Sequence, residues 1–196
     1  MTRYDAHDAY CYPDSGVLRN QANLTDQAAL DAFEADITAV RLLELSQTPA
    51  AGTFDLAHLQ RIHHTIFQDV YDWAGELRTV DISRGSSRFA NVRQIVPYAR
   101  TVFMALAAEG WLKNCTLPQF SARLAHYLSE INALHPFREG NGRAQRAFAT
   151  QLAAQAGYEL DYAGLTQEEM YPVMAASFAG DENPLADLLA KRLTSL

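Results

Sequence analysis

Cysteine, basic side chains and long hydrophobic runs are all scarce in this chain of 196 residues. The two cysteines, Cys11 and Cys115, form no CxxC pair, and two are too few for a disulfide framework, so we interpret both as ordinary thiols in a reducing compartment. The first residues lack the apolar stretch of a secretory signal, and no run reaches the ~18 apolar residues of a membrane helix. These absences predict a cytoplasmic location and no membrane partner.

Positive charge is also in short supply, since 16 Lys and Arg face 23 Asp and Glu, for a net charge of −7. Binding to phosphates requires a cationic face, so a general nucleic-acid binder is excluded and no direct nucleic-acid partner is expected. A small local cationic pocket is not excluded. Hydrophobic residues make up 48% of the chain, as in folded globular proteins. A length of 196 residues predicts a single domain, residues 1–196.

Alanine, with 32 residues, and an apolar spacing of three or four residues both favour helices. A first predicted helix has Thr25 as its N-cap and turns one apolar face inward: Leu30, Phe33, Ile37, Val40 and Leu43. A second follows Asp55, a third closes near Gly110, and Pro118 opens a fourth. We expect the core of the domain to cover about residues 20–160.

Two local signals predict further helices over about residues 166–196, at the C-terminal end of the chain. The run Thr166-Gln167-Glu168-Glu169 has the form of a capping box, in which the first and last side chains bond each other's backbone N–H groups. The pair Asn183-Pro184 has the form of an N-cap followed by a first-turn proline. These helices would complete the domain.

One stretch departs from the helical pattern. Within residues 77–89, Thr79, Val80 and Ile82 favour strands, and the run Arg84-Gly85-Ser86-Ser87 favours a turn. The pattern predicts a short β-hairpin between two helices. Strand signal is too weak elsewhere for a sheet, so the predicted fold class is all-α with one small β-hairpin.

The segment from His135 to Arg146 carries the densest chemistry of the chain. Pro136 and the glycines that follow it are expected to end one helix, after which apolar residues begin another. The run Gly140-Asn141-Gly142 then lies at a helix N-terminus, where the first N–H groups lack partners and the helix dipole is positive. Such a run of amides forms a nest for an anion.

Arg143 and Arg146 are three residues apart and therefore share the helix face just beyond that nest. Two guanidinium groups above backbone amides suit a di- or triphosphate. Glu139 would repel such a ligand unless Mg²⁺ lay between them, and Mg²⁺ binds one or two carboxylates together with phosphate oxygens. At the other end of the loop His135, with an ordinary pKa of ~6.5, can accept a proton from an attacking hydroxyl.

Each of these features also has a structural interpretation. A Gly-Asn-Gly run is commonly a plain turn, and paired arginines commonly form a solvated helix face. A histidine before proline is commonly structural or exposed, and Glu139 alone is explained as a first-turn carboxylate that the helix dipole favours. The presence of a base, a carboxylate, an anion nest and two arginines within one short segment favours a functional site.

The run from His135 to Arg146, HPFREGNGRAQR, resembles the motif of the Fic family, His-x-Phe-x-Asp/Glu-Gly-Asn-Gly-Arg-x-x-Arg, at every specified position. Residues 70–82 resemble the segment that leads into the hairpin, or flap, of that family. Residues 12–20 resemble its usual opening. The resemblance implies a Fic-type helical bundle in which the flap lies beside the active-site loop.

The resemblance further implies a protein adenylyltransferase, which transfers AMP from ATP to a Tyr, Thr or Ser hydroxyl of a target protein. His135 would be the general base, and Glu139 would bind Mg²⁺. Arg143 would contact the β-phosphate side and Arg146 the γ-phosphate. Three residues would hold the α- and β-phosphates: Gly140, Asn141 and Gly142.

In the family, the flap clamps the target segment by strand addition and aligns its hydroxyl with the base. The resemblance therefore implies a run of target-docking residues in this chain: Ile82, Ser83, Arg84, Gly85, Ser86, Ser87, Arg88 and Phe89.

Doc, a relative of Fic, has Ala-Asn-Lys where this chain has Gly140-Asn141-Gly142, and it transfers phosphate instead of AMP. Gly142 leaves room for the nucleotide orientation that exposes the α-phosphate, which favours AMP transfer here. Two alternatives stay open at this point. One is a phosphoryl-transferring relative, and the other is a non-catalytic Fic scaffold that binds a nucleotide or a partner.

Many Fic proteins also carry an inhibitory helix, Ser/Thr-x-x-x-Glu-Gly/Asn, whose glutamate pairs with the second arginine of the motif. No Ser or Thr of this chain is followed by Glu at that spacing, and Ser177, with Asp181, comes nearest. The resemblance thus implies the toxin half of a toxin–antitoxin module, inhibited in trans by a small antitoxin that supplies the glutamate helix. Bacterial toxins of this type modify type II topoisomerases, so the B subunits of DNA gyrase and of topoisomerase IV are the expected targets.

Overall fold

The computed structural model of the chain describes residues 9–84 and 87–196, and helices dominate these ranges. Seven helices, α1 to α7, lie within them: Gln27–Gln47, Leu56–Phe67, Ile95–Ala108, Leu117–Leu134, Asn141–Ala156, Gln167–Phe178 and Asn183–Ala190. Four short strands, β1 to β4, accompany the helices: Ser83–Arg84, Ser87–Arg88, Tyr158–Leu160 and Leu193–Ser195. The all-α prediction with one hairpin, β1 against β2, is confirmed. An antiparallel ribbon of β3 and β4, which the sequence did not predict, joins the end of α5 to the C-terminal residues.

Helix α4 is central to the packing, because α3, α5, α6 and α7 all lie against it. Its inward side chains are those that the apolar spacing predicts, and all are buried: Phe120, Leu124, Tyr127, Leu128 and Ile131. The first turn is fixed by Gln119, whose side-chain oxygen accepts the Thr116 N–H at 2.9 Å. Helix α4 ends at Leu134, as predicted, and α5 begins at Asn141 and ends before Gly157, which adopts a left-handed conformation with φ of 90°.

The buried face of α1 differs from the predicted one. Its N-cap is Asp26 and not Thr25, because the Asp26 carboxylate accepts the Ala29 N–H at 2.9 Å. Val40 and Leu43 are 56% and 61% exposed, so their prediction as inward residues is wrong. Leu30 is buried as predicted, and the other buried positions are Glu34, Thr38 and Leu45. Two of these are polar, and they point inward because they have polar partners on α5, which are described below.

The C-terminal helices pack over α4. Thr166 and Glu169 form the predicted capping box of α6, with the Glu169 carboxylate accepting the Thr166 N–H at 3.0 Å. Helix α7 begins one residue before the predicted start, since Glu182 is its N-cap and Asn183 is already helical. In the ranges that the structure describes, no helix combines the length and the apolar character needed to cross a bilayer.

Two leucines of α1 provide a matched test of its orientation. Leu30 is 1% exposed and Leu43 is 61% exposed. We expect Leu30→Ala to lower the free energy of unfolding by about 2–5 kcal/mol, because it leaves a cavity in the core. We expect Leu43→Ala to change it by less than about 0.5 kcal/mol, as for most exposed positions. Urea unfolding followed by circular dichroism measures both, and equal losses would contradict the orientation of α1.

Candidate active site

His135 directly follows the last residue of α4 and adopts a left-handed conformation, with φ of 43° and ψ of 63°. Its side chain is turned inward, and the residue is only 7% exposed. The ring Nδ1 lies 2.9 Å from the backbone oxygen of Asn132. Because a carbonyl oxygen only accepts hydrogen bonds, Nδ1 carries the proton and the lone pair is on Nε2. This tautomer suits a base that acts through Nε2.

Phe89, the last residue of the flap, lies flat on the imidazole of His135, with the ring centroids 3.7 Å apart and the planes 17° from parallel. Phe178 of α6 contacts Phe89 edge-on at 5.9 Å. Burial is the main cause of the low pKa of His135, about 3, and the positive charges of Arg78 and Arg84 lower it further. The imidazole is therefore neutral at physiological pH.

Arg78 connects the base of the flap to the active-site loop. Its buried guanidinium donates from Nε to the His135 carbonyl at 2.8 Å and from Nη1 to the Val80 carbonyl at 2.7 Å. Nη2 donates to the Ala90 carbonyl, on the other side of the flap. The backbone N–H of Arg78 also donates to the Pro136 carbonyl at 2.8 Å. One side chain thus fixes the backbone on both sides of the hairpin relative to His135.

Asn141 holds the active-site loop from its other end. Its side-chain oxygen accepts the Phe137 N–H at 2.9 Å, and its side-chain nitrogen donates to the Phe137 carbonyl at 2.8 Å. The residue is 1% exposed, so these bonds form in the protein interior. The side chain of Asn141 therefore shapes the loop, and the contribution of this residue to an anion site would come from its backbone N–H.

Two glycines allow the start of α5 to form as it does. Gly140 has φ of 79°, and a Cβ there would lie 2.2 Å from Cζ of Phe67, so any side chain would both strain the backbone and overlap the ring. At Gly142 a Cβ would lie 3.4 Å from Nη1 of Arg146. The Arg146 guanidinium therefore folds back over the first turn of α5, where N–H groups lack carbonyl partners from a preceding turn.

Glu139 lies just before α5 and is 6% exposed. One of its carboxylate oxygens accepts the Gly140 N–H at 2.9 Å. Its backbone oxygen lies 2.9 Å from Nε2 of His63, while Nδ1 of His63 accepts the Gly75 N–H at 2.9 Å. His63 must therefore donate from Nε2 to Glu139, and burial keeps its pKa low, at about 3. A neutral histidine thus holds the backbone of the predicted metal ligand.

Arg143 is turned toward α1 and α2. Its Nη2 lies 2.6 Å from Oε1 of Glu34, and its Nη1 donates to the Thr38 hydroxyl at 3.1 Å. The guanidinium lies over the ring of Phe67, 4.6 Å from its centroid. The Tyr71 hydroxyl donates to the second carboxylate oxygen of Glu34. Burial and the nearby Glu34 charge raise the pKa of Tyr71 far above its ordinary value, so its hydroxyl keeps the proton that it donates.

The flap forms the predicted hairpin, in which Ser83 pairs with Arg88 and Arg84 with Ser87. Of the predicted docking run, Gly85 and Ser86 lie outside the described residues. Ile82 is 4% exposed and serves as an anchor of the hairpin, whereas the side chains of Arg84 and Arg88 are exposed.

Four side chains of this site were not identified by sequence reasoning: Glu34, Thr38, His63 and Arg78. All are buried polar residues that lie outside the motif and reach it only in the folded chain. A signal was present for the first two, because a carboxylate and a hydroxyl that follow Leu30 at spacings of four lie on the helix face of that apolar residue, and polar side chains on an inward face indicate a polar partner. Within the described part of the chain, no cluster of three or more His, Cys, Asp or Glu is arranged to hold a metal by itself.

Known proteins resemble this chain over most of its length. Residues 53–153 match the Fic/DOC family. The chain is 40% identical over 195 residues to the protein adenylyltransferase VbhT of Bartonella schoenbuchensis, covering 99% of this chain but 41% of that protein. It is 37% identical to the probable protein adenylyltransferase Fic of Escherichia coli, covering 95% of this chain and 92% of that one.

Solved structures show the same fold. BepC of Bartonella tribocorum, crystallised with AMPPNP, superposes with a TM-score of 0.88 at 25% identity, over 95% of this chain and 97% of that one. The Fic domain of a Bartonella quintana effector with bound ADP gives a TM-score of 0.87 at 28% identity, over 95% and 94% of the two chains. The motif, the fold and the named relatives together establish that this chain belongs to the Fic/DOC family, among the relatives named protein adenylyltransferases.

Proposed function

We propose that this chain transfers AMP from ATP to a Tyr, Thr or Ser hydroxyl of a target protein and releases pyrophosphate. The observation that carries this proposal is the tautomer of His135, whose Nδ1 proton is bonded to Asn132 so that the lone pair is on Nε2. A base of this kind, one short loop before an amide-rich helix start, is what attack on an α-phosphate requires. The relatives named above support the same reaction.

In the proposed reaction, the target hydroxyl donates its proton to Nε2 of His135 as its oxygen attacks the α-phosphorus. The new bond joins that oxygen to the α-phosphorus, and the bond from the α-phosphorus to the bridging oxygen breaks. Pyrophosphate leaves with the electron pair of that bond. His135 is neutral before the step because of its burial, so it is ready to accept the proton at physiological pH.

The phosphates would lie at the start of α5. We assign the α- and β-phosphates to the backbone of three residues, Gly140, Asn141 and Gly142. Arg146 folds back over this turn and is assigned to the γ-phosphate, and Arg143 is assigned to the β-phosphate side. Helix N-termini and guanidinium groups both attract phosphate oxygens, so the two sources of positive charge act on the same part of ATP.

Glu139 fits the role of a Mg²⁺ ligand. It is a nearly buried carboxylate at the edge of the amide-rich turn, and a single carboxylate suits a cation that obtains its other ligands from phosphates and water. Bound Mg²⁺ would neutralise phosphate charge during the transfer. His63 and Gly140 hold the backbone and the carboxylate of Glu139 in place for this purpose.

The target segment would add as a strand beside the flap. Strand addition uses backbone hydrogen bonds, so it holds different target sequences in one register relative to His135. The exposed side chains of Arg84 and Arg88 would then favour an acidic or polar target. Among type II topoisomerases, the B subunits of DNA gyrase and of topoisomerase IV are the targets that we propose to assay first. The reaction is proposed to take place in the cytoplasm.

Regulation is proposed to come from a separate small antitoxin. Ser177 and Asp181, the nearest approach to the inhibitory motif, cannot form it, since Ser177 is buried and α6 ends at Phe178. A glutamate supplied in trans would pair with Arg146 and take the position of the γ-phosphate. Residues 1–196 would then form one catalytic domain.

His135→Ala should abolish transfer, by ~100-fold or more, because the base is lost while the phosphate site is kept. The assay incubates the protein with a bacterial lysate and ATP labelled at the α-phosphate, and an equilibrium measurement confirms that ATP still binds. His126→Ala, a change in α4 at a half-exposed residue paired with Glu182, serves as the matched control and should label at the normal rate. Label from the γ-phosphate instead of the α-phosphate would indicate phosphoryl transfer, and nucleotide binding without any label would indicate a scaffold.

Arg146→Ala should weaken binding of ATP by about 10- to 100-fold, the value of a hydrogen bond between charged groups, and leave ADP binding unchanged. The reason is that ADP lacks the phosphate assigned to Arg146. Isothermal titration with both nucleotides in the presence of Mg²⁺ measures this, and equal losses would refute the γ-phosphate assignment. A co-expressed small protein with the inhibitory motif should also inhibit this variant less strongly.

The pH dependence of kcat/KM should depend on the cover that Phe89 provides. Burial lowers the pKa of His135 to about 3, so the base stays deprotonated, and the normal enzyme should show no loss of rate from this group near pH 6.5. Phe89→Ser admits water, which raises that pKa toward 6.5 and moves the acidic limb to higher pH. Phe89→Leu keeps the apolar cover and should leave the acidic limb of the kcat/KM profile at low pH. Identical profiles for the two variants would contradict this role of Phe89.

A further inference from the structure

Helix α1 lies outside residues 53–153, the part of the chain that matches the family, yet it places a carboxylate against Arg143, which is assigned to the proposed phosphate site. Glu34 is 5% exposed and Thr38 is 2% exposed. An isolated carboxylate is costly to bury, so such a residue must be fully paired to be tolerated. The hydrogen-bond partners of Glu34 therefore indicate the role of its carboxylate.

Both oxygens of Glu34 are engaged. Oε1 accepts from Nη2 of Arg143 at 2.6 Å, and the other oxygen accepts from the Tyr71 hydroxyl. Thr38, one turn further along α1, accepts from Nη1 of Arg143 at 3.1 Å. The ring of Phe67 supports the guanidinium from below. Contacts from α1, α2 and the turn after α2 thus fix the position and the plane of this one side chain.

Arg143 needs this support because it lies near the positive end of the α5 dipole. It is the third residue of α5, and its guanidinium lies 4.6 Å from the centroid of the Phe67 ring, the same ring that a Cβ at Gly140 would overlap, so its charge lies near the start of the helix. The positive end of the helix dipole disfavours a cation there. The same dipole favours the phosphate that the site is proposed to bind. A nearby carboxylate offsets the repulsion between Arg143 and the helix.

We propose that Glu34 is a positioning residue that holds Arg143 at the phosphate site before the nucleotide arrives, an inference that rests on the proposed function. A long arginine side chain loses much rotational freedom when it binds a ligand, and Glu34 makes that loss part of folding instead of binding. The effect falls on the β-phosphate side, which ATP and ADP share. It therefore differs from the effect of Arg146, which depends on the γ-phosphate.

The test is the affinity for ADP in the presence of Mg²⁺, measured by isothermal titration with the full chain. Glu34→Ala should weaken ADP binding about tenfold, and Glu34→Gln, which keeps the shape and one hydrogen bond, should weaken it less. Glu44→Gln changes an exposed carboxylate on the same helix, paired with Arg41, and should leave ADP binding unchanged. With ATP as substrate, Glu34→Ala should raise KM more than it lowers kcat.

A double variant separates positioning from a merely structural role. In an Arg143→Ala background, Glu34→Ala should cause no further loss of ADP affinity, because its effect acts through Arg143. The inference is overturned if ADP affinity stays within twofold of normal in folded Glu34→Ala protein, or if the loss is equally large without Arg143. If Glu34→Ala does not fold, Thr38→Val and Tyr71→Phe remove the two supporting hydroxyls singly, and an unchanged ADP affinity in both overturns it. Failure of the unaltered protein to bind ADP would count against the proposed function itself, which keeps the two failures distinct.

Discussion

The loop between α4 and α5 turns backbone polar groups into the protein interior, and the site depends on how they are satisfied. Buried carbonyl and N–H groups must be hydrogen-bonded, or the loop would be unstable. Arg78 bonds the His135 carbonyl, His63 bonds the Glu139 carbonyl, and Asn141 bonds both backbone groups of Phe137. These three side chains come from three different parts of the chain. The positions of the proposed base and the predicted metal ligand are therefore properties of the whole fold.

Positive charge is concentrated at the start of α5, where the guanidinium groups of Arg143 and Arg146 lie near the positive end of the helix dipole. In the proposed site, the amide groups and the helix dipole would attract phosphate, but they also repel the arginines that are assigned to the same phosphates. Arg146 reaches back over Gly142, where no side chain obstructs it, and Arg143 is held by the carboxylate of Glu34. Gly142 and the buried Glu34 therefore allow two arginines to lie close to a helix N-terminus, which the helix dipole alone would disfavour.

The fold class and the loop between α4 and α5 could be predicted from the sequence, because local residue patterns determine both. The apolar spacing of α4 predicts its buried residues, and the glycines predict where α5 begins and ends. The orientation of α1 was mispredicted, because Val40 and Leu43 fit an apolar stripe equally well. The face of α1 that is turned inward carries Glu34, which forms an ion pair with a residue more than one hundred positions away. Separation in sequence also concealed Arg78 and His63, whose partners in the active-site loop are 57 and 76 positions away. Those partners are backbone atoms, which carry no sequence signal.

The stack of Phe89 on His135 has a consequence for the resting enzyme. With the imidazole covered by a ring at 3.7 Å and the residue 7% exposed, bulk solvent has little access to the basic nitrogen. A water molecule is a smaller nucleophile than a protein side chain and is far more abundant. In the proposed reaction, an apolar cover on the base therefore limits wasteful hydrolysis of the nucleotide.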